Sequence, residues 1–385
     1  MEKEIPFKFT GPLDPEQDSF VSITRREELN EVIKGVSNQT YYALVGPRQT
    51  GKTTFLFQLM HEIRENLNGY QVIYLTLEDL VQIKPEEFYR SLVRKITTTL
   101  NHHYHIQPAA IKERYKTVNT NLDLKDFLLE LARAKLFPPG HEESIQFETK
   151  EKKGLRYILL IDEIDAIPQE IMIEFVKTVR SIFIERLSVA GFKAYTMVLC
   201  GSADLASLTY GKTSPFNISK VIYLRDFTFP EIYQWLIPIL GYLDVEADDT
   251  FVQKLFEQTN GHPYMTQLLC SRMLSRLQRE RRQIITPADL REVDQIIIDG
   301  DINLLTTLER IKKDEFLQEM ILKILKGDSI RYSRTHDIIY HLELAGAITK
   351  RGEFCKMRNT IYEKFFRQYF NLIDNVQPLK NLAVC

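Results

Sequence analysis

The sequence has few cysteines and lacks any long apolar run. We read the four cysteines as reduced thiols, because they are scattered without the paired spacing typical of zinc sites: Cys200, Cys270, Cys355 and Cys385. No apolar stretch approaches the length needed to cross a bilayer, and the N-terminal MEKEIPFKF lacks the apolar core of a signal peptide. These absences lead us to expect a cytoplasmic chain with no membrane partner.

The sequence also lacks an excess of charge of either sign. Its 50 basic and 52 acidic residues give a formal net charge of −2. This balance argues against a protein whose main role is to coat nucleic acid, although a local basic patch can still form. With 385 residues, 44% of them hydrophobic, the chain is long enough for two or three domains.

A glycine-rich loop is the strongest signal that is present. Residues 41–58, YYALVGPRQTGKTTFLFQ, read as a buried strand, a loop and the start of a helix. They contain the pattern G-x-x-x-x-G-K-[ST], in which glycines allow close approach of phosphate oxygens and backbone N–H groups favour anions. Lys52 can reach the β and γ phosphates of a nucleotide, and Thr53 can bind Mg²⁺. The predicted nucleotide-binding residues of the loop are Gly46, Pro47, Arg48, Gln49, Thr50, Gly51, Lys52, Thr53 and Thr54.

A second apolar run ends in acidic residues. Residues 157–168, YILLIDEIDAIP, predict a buried strand that ends at Asp162 and Glu163. Together with a phosphate loop, this pattern predicts that Asp162 and Thr53 hold Mg²⁺. Glu163 is placed to orient and deprotonate a water for attack on the γ phosphate, and Asp165 could help to position that network.

A third buried strand, residues 194–204, ends in Cys200-Gly201-Ser202. We expect this strand to lie between the two motif strands, where Ser202 could sense the γ phosphate. A turn of small residues at a strand end is the alternative. The predicted catalytic residues are therefore Lys52, Glu163 and Ser202.

Strands alternate with helices up to residue 229, which predicts a parallel α/β sheet. We predict a nucleotide-binding domain over residues 1–229 with a helical insertion at about 80–153. Helical segments then predict a lid over residues 230–300. Further helices and a short hairpin, AITKRGEFCKMR, predict a winged helix with a C-terminal tail over residues 301–385.

Taken together, these motifs resemble the AAA+ and STAND branches of the P-loop ATPases. The sequence is most similar to the AAA-like domain family of bacterial signalling proteins, over roughly residues 8–370. This narrower resemblance is carried by residues 214–218 (SPFNI), 226–228 (DFT), 259–264 (TNGHPY) and 358–362 (RNTIY). A more distant similarity is to the origin-recognition ATPases, which join an AAA+ core to a winged helix.

The resemblance implies an ATPase that binds ATP or ADP with Mg²⁺, hydrolyses ATP slowly, and acts as a switch in bacterial signalling or anti-phage defence. It also implies that Pro263, in the turn at the start of a lid helix, contacts the nucleotide. A proline is favourable at a first helical turn on its own account, which is the alternative. STAND proteins usually carry effector and sensor domains, and this sequence shows neither. We therefore expect a homo-oligomer or a complex with separate effector or sensor proteins.

Three questions stay open at the level of sequence. Residues 323–358 carry eight basic and four acidic residues, including Lys350, Arg351, Lys356 and Arg358. This face could bind duplex DNA, as in an ATP-dependent loader or transposition-type regulator, or could be a solvated packing face. A non-hydrolysing scaffold is a third possibility. An arginine that acts on a neighbouring subunit could be Arg180, Arg186 or Arg225.

Overall fold

The computed structural model describes residues 4–18, 24–103, 105–106, 117–133, 136–137, 156–202, 205, 208, 217–248, 250–291, 296 and 300–371. These residues form two compact units. The sheet unit contains the described residues within Glu27–Val45 and Lys52–Leu224. The helical unit contains those within Met1–Arg26, Gly46–Gly51 and Arg225–Cys385.

The sheet unit is organised around five parallel strands. Their bounds are β1 Tyr41–Val45, β2 Tyr70–Thr76, β5 Arg156–Asp162, β6 Tyr195–Gly201 and β7 Ser219–Tyr223. The strand order is β2-β5-β6-β1-β7, and every neighbouring pair is parallel. The predicted parallel sheet is therefore confirmed, and β6 lies between β1 and β5. Two short strands, β3 His105–Ile106 and β4 Leu136–Phe137, pair antiparallel with each other.

Helices cover both faces of this sheet, which explains why the central strands β1, β5 and β6 are almost entirely buried. The helices are α1 Arg26–Ser37, α2 Lys52–Asn66, α3 Pro85–His103, α4 Asn121–Arg133 and α5 Gln169–Glu185. Side chains of α1 and α2 form one core layer with Leu44, Leu160 and Val198 of the sheet. Side chains of α3, α4 and α5 surround Leu159 and Met197, which point to the other face. Both α3 and α4 fall within the predicted helical insertion.

The helical unit contains seven α-helices in its described residues. They are α6 Phe229–Tyr242, α7 Phe251–Thr259, α8 Pro263–Glu280, α9 Ile302–Lys312, α10 Glu315–Lys326, α11 Asp337–Leu344 and α12 Thr360–Tyr369. Two-residue strands β8 Glu246–Ala247 and β9 Ile284–Ile285 pair in parallel. Strands β10 Ile348–Arg351 and β11 Phe354–Met357 pair antiparallel. The predicted hairpin is therefore confirmed, and its turn contains Gly352 at φ 61°.

Local sequence signals fix several helix starts in this unit. Thr228 and Glu231 form a reciprocal capping box at the start of α6. The Asp314 side chain caps α10, and the Asn359 side chain caps α12. No helix in the described ranges is long and apolar enough to cross a membrane.

Candidate functional site

The loop after β1 has the backbone shape expected of an anion-binding turn. Gln49 and Gly51 lie in the left-handed region, at φ 60° and φ 77°. Left-handed positions within a turn create a concavity of backbone N–H groups. The Thr50 hydroxyl donates a hydrogen bond of 2.8 Å to the Pro47 carbonyl, which closes the turn. Helix α2 begins at the next residue, Lys52, so the loop leads directly into a helix N-terminus that favours anions.

The first turn of α2 joins the end of β5 in the sheet unit. Thr53 Oγ1 donates a hydrogen bond of 2.7 Å to Asp162 Oδ2. Asp162 is only 1% exposed, and the neighbouring Lys52 is 8% exposed. The first turn of α2 contains no acidic side chain that would repel an anion. The structure therefore brings together Thr53 and Asp162, the two predicted magnesium ligands.

Asp162 has further donors that the motif does not specify. The Tyr74 hydroxyl of β2 donates a 3.1 Å hydrogen bond to Asp162 Oδ2. The backbone N–H of Glu163 donates to Asp162 Oδ1 at 2.9 Å. The Cys200 thiol is fully buried, and its burial and the charge of Asp162 raise the pKa of the thiol. Sequence reasoning missed Tyr74, since only the pairing of β2 with β5 shows which β2 side chain reaches this carboxylate.

Glu163 has an unusual backbone conformation. Its φ of 53° and ψ of 44° place a residue other than glycine in the left-handed region. Such a conformation costs about 1–3 kcal/mol and tends to occur at functional positions. The outlier falls on the residue predicted to activate water, and the half-buried side chain is accessible enough to meet one.

Asp165 holds the end of β6. The Ser202 backbone N–H lies 3.0 Å from both carboxylate oxygens of Asp165, and the Ser202 hydroxyl also bonds this carboxylate. A Cβ atom at Gly201 would collide with Asp165 Oδ1, so the close approach requires glycine. Ser202 is therefore held by the Asp165 carboxylate through both its backbone N–H and its hydroxyl. Its role as a sensor of the γ phosphate stays a prediction.

In the helical unit, the Arg25 side chain contacts the phosphate loop. The Arg25 side chain, only 2% exposed, donates from Nη2 to the Thr50 carbonyl at 2.7 Å and to the Arg225 carbonyl at 2.6 Å. Its own N–H donates to Glu231 Oε1 at 2.6 Å. Sequence reasoning missed Arg25, because an arginine before a surface helix has no local feature that marks it as buried.

The turn before α8 is packed into the helical unit. Pro263 occupies the first helical position and is buried. His262 is fully buried and its ring stacks on Tyr362 with 5.9 Å between ring centroids. Burial and the Arg358 charge lower the pKa of His262 to about 3, so the ring is neutral. The nucleotide contact of Pro263 stays a prediction, and its position at the first helical turn also fits the alternative of a favourable helix start.

The arginine candidates differ in their partners. Arg225 forms an ion pair with Glu231, with 2.7 Å between Nη1 and Oε2. Arg186 Nη1 donates to the Gln39 carbonyl at 2.8 Å. Arg180 Nε has no hydrogen-bond partner among the residues that the structure describes. That Nε is buried, so these contacts do not single out one arginine, and the action of any of the three on a neighbouring subunit stays a prediction.

The basic face of the C-terminal hairpin is smaller than predicted. Lys350, Arg351 and Lys356 are exposed. Arg358 was also predicted to contribute, and that prediction was wrong. Its side chain is 3% exposed and forms an ion pair with Asp226, with 2.6 Å between Nη2 and Oδ1. This ion pair keeps the arginine away from the surface.

Residues 214–216, which carry part of the family resemblance, lie outside the described residues. Within the described ranges, no group of three or more histidine, cysteine, aspartate or glutamate side chains could hold a metal ion. A magnesium site of the P-loop kind does not need such a group, because phosphate oxygens and water complete it.

The structure is similar to several solved structures of other proteins. A Walker-type ATPase of Pyrococcus abyssi matches 94% of this chain and 99% of its own, with 14% identity and a TM-score of 0.58. Cdc6p of Pyrobaculum aerophilum matches 90% of this chain and 95% of its own, with 14% identity and a TM-score of 0.47. The RuvB Holliday junction branch migration motor of Thermotoga maritima matches over 93% and 99%, with 13% identity and a TM-score of 0.45.

None of the curated proteins matches the sequence. The likeness to the Pyrococcus ATPase shows the fold alone. The family is shown by a sequence profile, that of the AAA-like domain, which matches residues 13–368. This match covers most of the chain, so the protein belongs to the AAA-like domain family.

Proposed function

We propose that this protein binds ATP with Mg²⁺ and hydrolyses it slowly. The observation that carries the proposal is the 2.7 Å hydrogen bond between Thr53 Oγ1 and Asp162 Oδ2. It joins the helix after the phosphate loop to the acidic end of β5, in the sheet unit. Mg²⁺ prefers oxygen ligands and is usually bound through one or two carboxylates together with substrate phosphates. This pair of oxygen atoms fits that ion.

Each residue of the proposed site has a defined task. The backbone N–H groups of residues 46–51 bind phosphate oxygens, and the Lys52 ammonium group contacts the β and γ phosphates. Thr53 and Asp162 hold Mg²⁺, which when bound neutralises charge on the phosphate oxygens. The Glu163 carboxylate orients the attacking water and accepts its proton.

Three further side chains are assigned to recognition of the nucleotide. Ser202 senses the γ phosphate, and Asp165 fixes its position. Pro263, at the start of α8, contacts the base or ribose. Arg48, which is exposed in the loop, contacts a phosphate.

The protein is proposed to act as a switch that controls assembly with partner proteins, in bacterial signalling or defence. Contacts within the helical unit support this proposal. Gln49 Nε2 of the loop donates to Asn303 Oδ1 of α9. A Cβ atom at Gly346, just before β10, would lie 3.7 Å from Pro47. Because the loop touches these C-terminal elements, a nucleotide that reshapes the loop can move them.

The elements from α9 to α12, with the β10–β11 hairpin, are proposed to form a winged helix. Their order, helices followed by an antiparallel hairpin, matches that motif. In a switch of this kind, the winged helix transmits the nucleotide state to the partner.

The binding step is tested by calorimetry with ATP and Mg²⁺. We expect Lys52→Ala to abolish binding, because the substitution removes the charge that holds the β and γ phosphates. Lys34→Ala is the matched control, since Lys34 is an exposed lysine near the end of α1. Equal affinity of the wild type and Lys52→Ala would refute the assignment of the phosphate loop.

The assembly step is tested by native mass measurement. The wild type is measured with ADP and then with a non-hydrolysable ATP analogue. We expect a change of mass between the two nucleotides, alone or with an added partner, and no change for Lys52→Ala. The same mass in both nucleotide states, with bound nucleotide verified, would contradict the switch.

A second candidate function is ATP-dependent binding of duplex DNA. The exposed Lys350, Arg351 and Lys356 on the hairpin favour it, because such side chains neutralise phosphates. The test is binding of a plain duplex at two salt concentrations. Affinity that falls steeply with salt, and a shallower salt dependence when the three residues are replaced by glutamine, would support this candidate. Binding that is absent in the wild type would exclude it.

A further inference from the structure

Asp162 receives a hydrogen bond from a side chain outside both sequence motifs. Tyr74 OH lies 3.1 Å from Asp162 Oδ2. In the pairing of β2 with β5, Tyr74 lies opposite Leu160, and Thr76 lies opposite Asp162. Positions two apart on a strand share a face, so the long tyrosine side chain reaches diagonally to the acidic residue.

Packing holds the Tyr74 ring in place. The rings of Tyr74 and Phe57 meet edge to face, with 4.9 Å between centroids and 67° between planes. Phe57 lies four residues after Thr53 on α2, so both side chains are on the same face of this helix. The phenol O–H of Tyr74 is the donor in this contact, because an ionised carboxylate can only accept hydrogen bonds.

The hydrogen bonds on Asp162 restrict how its carboxylate can turn. Oδ1 accepts from the N–H of Glu163, and Oδ2 accepts from Thr53 and Tyr74. Thr53 is itself a proposed Mg²⁺ ligand, so its hydrogen bond to Asp162 would change when the ion binds. Tyr74 lies on the neighbouring strand β2 and is not a proposed ligand, so its hydrogen bond to Asp162 could remain with the ion bound.

We propose that Tyr74 is a positioning residue that orients the Asp162 carboxylate and thereby sets the affinity of the nucleotide site for Mg²⁺. The inference rests on the proposed function, since it assigns Tyr74 to the same magnesium site. Loss of the Tyr74 hydroxyl would leave the Asp162 carboxylate free to turn. Partners of metal ligands usually act through orientation, and their loss lowers metal affinity about 10–100-fold.

A second tyrosine on the same strand provides a matched control. Tyr70 lies on the same face of β2 as Tyr74, but its hydroxyl donates to the Ser37 carbonyl at 3.2 Å. It also accepts a 2.9 Å hydrogen bond from Arg156. Tyr70→Phe therefore removes one hydroxyl from this strand without removing a partner of Asp162.

The test compares the wild type, Tyr74→Phe and Tyr70→Phe by binding of a fluorescent ADP. Affinity is measured in EDTA and then across a Mg²⁺ titration, and thermal unfolding is measured without nucleotide. For Tyr74→Phe we expect unchanged affinity in EDTA and unchanged unfolding. The Mg²⁺ concentration that gives half of the metal-dependent increase in ADP affinity should be about tenfold higher for Tyr74→Phe than for the wild type. Tyr70→Phe should need the same Mg²⁺ concentration as the wild type.

Three outcomes would overturn the inference. An equal Mg²⁺ requirement in Tyr74→Phe and the wild type refutes the positioning role and leaves the proposed ATPase intact. Weaker binding of Tyr74→Phe in EDTA shows that the hydroxyl serves the fold of the site in general. A wild type whose ADP affinity does not depend on Mg²⁺ refutes both the positioning role and the magnesium site.

Discussion

Arg358 and Asp226 form a buried, two-pronged ion pair in the helical unit. Arg358 Nη2 lies 2.6 Å from Asp226 Oδ1, and Arg358 Nε lies 3.1 Å from Asp226 Oδ2. The residues are 132 positions apart and belong to two of the segments that carry the family resemblance, 226–228 and 358–362. Burial alone would raise the pKa of Asp226, but the Arg358 charge holds it below the usual value. The pair therefore fastens the start of α12 to the segment before α6.

Breaking this ion pair should destabilise the protein strongly. Replacement of Arg358 by methionine leaves the Asp226 carboxylate, which is 16% exposed, without its main counter-charge, which costs about 3–5 kcal/mol. The measurement is the free energy of unfolding in urea. Lys356→Met is the control, because Lys356 is exposed and its loss should change stability by about 0.5 kcal/mol or less. Similar stability of the two variants would contradict the buried pair.

Gly261 should tolerate no side chain. Its φ is 76°, and an added Cβ atom would overlap the carbonyl oxygen of Phe227. The backbone N–H of Phe227 also donates a 2.8 Å hydrogen bond to the Gly261 carbonyl, which holds the two segments together. Gly327 has a φ of 94° with open space around it, so Gly327→Ala measures the conformational penalty alone. We expect that penalty to be about 1–2 kcal/mol. Gly261→Ala should cost about 1–3 kcal/mol more through overlap. If Gly261→Ala and Gly327→Ala lowered the free energy of unfolding by the same amount, Gly261 would not lie as close to the Phe227 carbonyl as the structure shows.

Glu231 should make stability depend on pH in the acid range. Burial opposes its charge, but hydrogen bonds from Arg225, Thr228 and Arg25 lower the pKa of Glu231 from 4.5 to about 2. A carboxyl group whose pKa is lower in the folded state than in the unfolded state stabilises the folded state when the pH is above the unfolded pKa. This contribution to stability disappears as the pH falls from about 5 toward 2. The shift corresponds to about 3 kcal/mol.

The variant Glu231→Gln tests this pH dependence. Its free energy of unfolding should be lower than that of the wild type at pH 6, and the difference should shrink as the pH falls toward 2. A difference that stays constant between pH 6 and pH 2 would mean that Glu231 does not titrate in the way its contacts indicate.

The sequence predicts the parts of this protein that depend on short motifs. The phosphate loop and the acidic end of β5 follow from local patterns, and the parallel sheet follows from the alternation of strands with helices. The β10–β11 hairpin follows from alternating residues around Gly352. These features are set by neighbours in the chain, so composition and spacing are enough to find them.

The features that sequence reasoning missed depend on contacts between distant segments. The bond between Tyr74 and Asp162 needs the register of β2 against β5, which no local pattern contains. The burial of Arg25 and Arg358 is also invisible in the sequence, since each arginine lies in a polar segment. Their partners, the Thr50 carbonyl and Asp226, become apparent only in the folded chain.

The central claim, that this protein hydrolyses ATP with Glu163 as the base, is tested most directly by phosphate release from bound ATP in a single turnover. We expect the wild type to release phosphate. Glu163→Gln should bind ATP with unchanged affinity and release phosphate about 10²–10⁴-fold more slowly, because the amide cannot accept the proton of the attacking water. Phosphate release by Glu163→Gln at the wild-type rate, or none by the wild type with ATP and Mg²⁺ bound, would contradict the account.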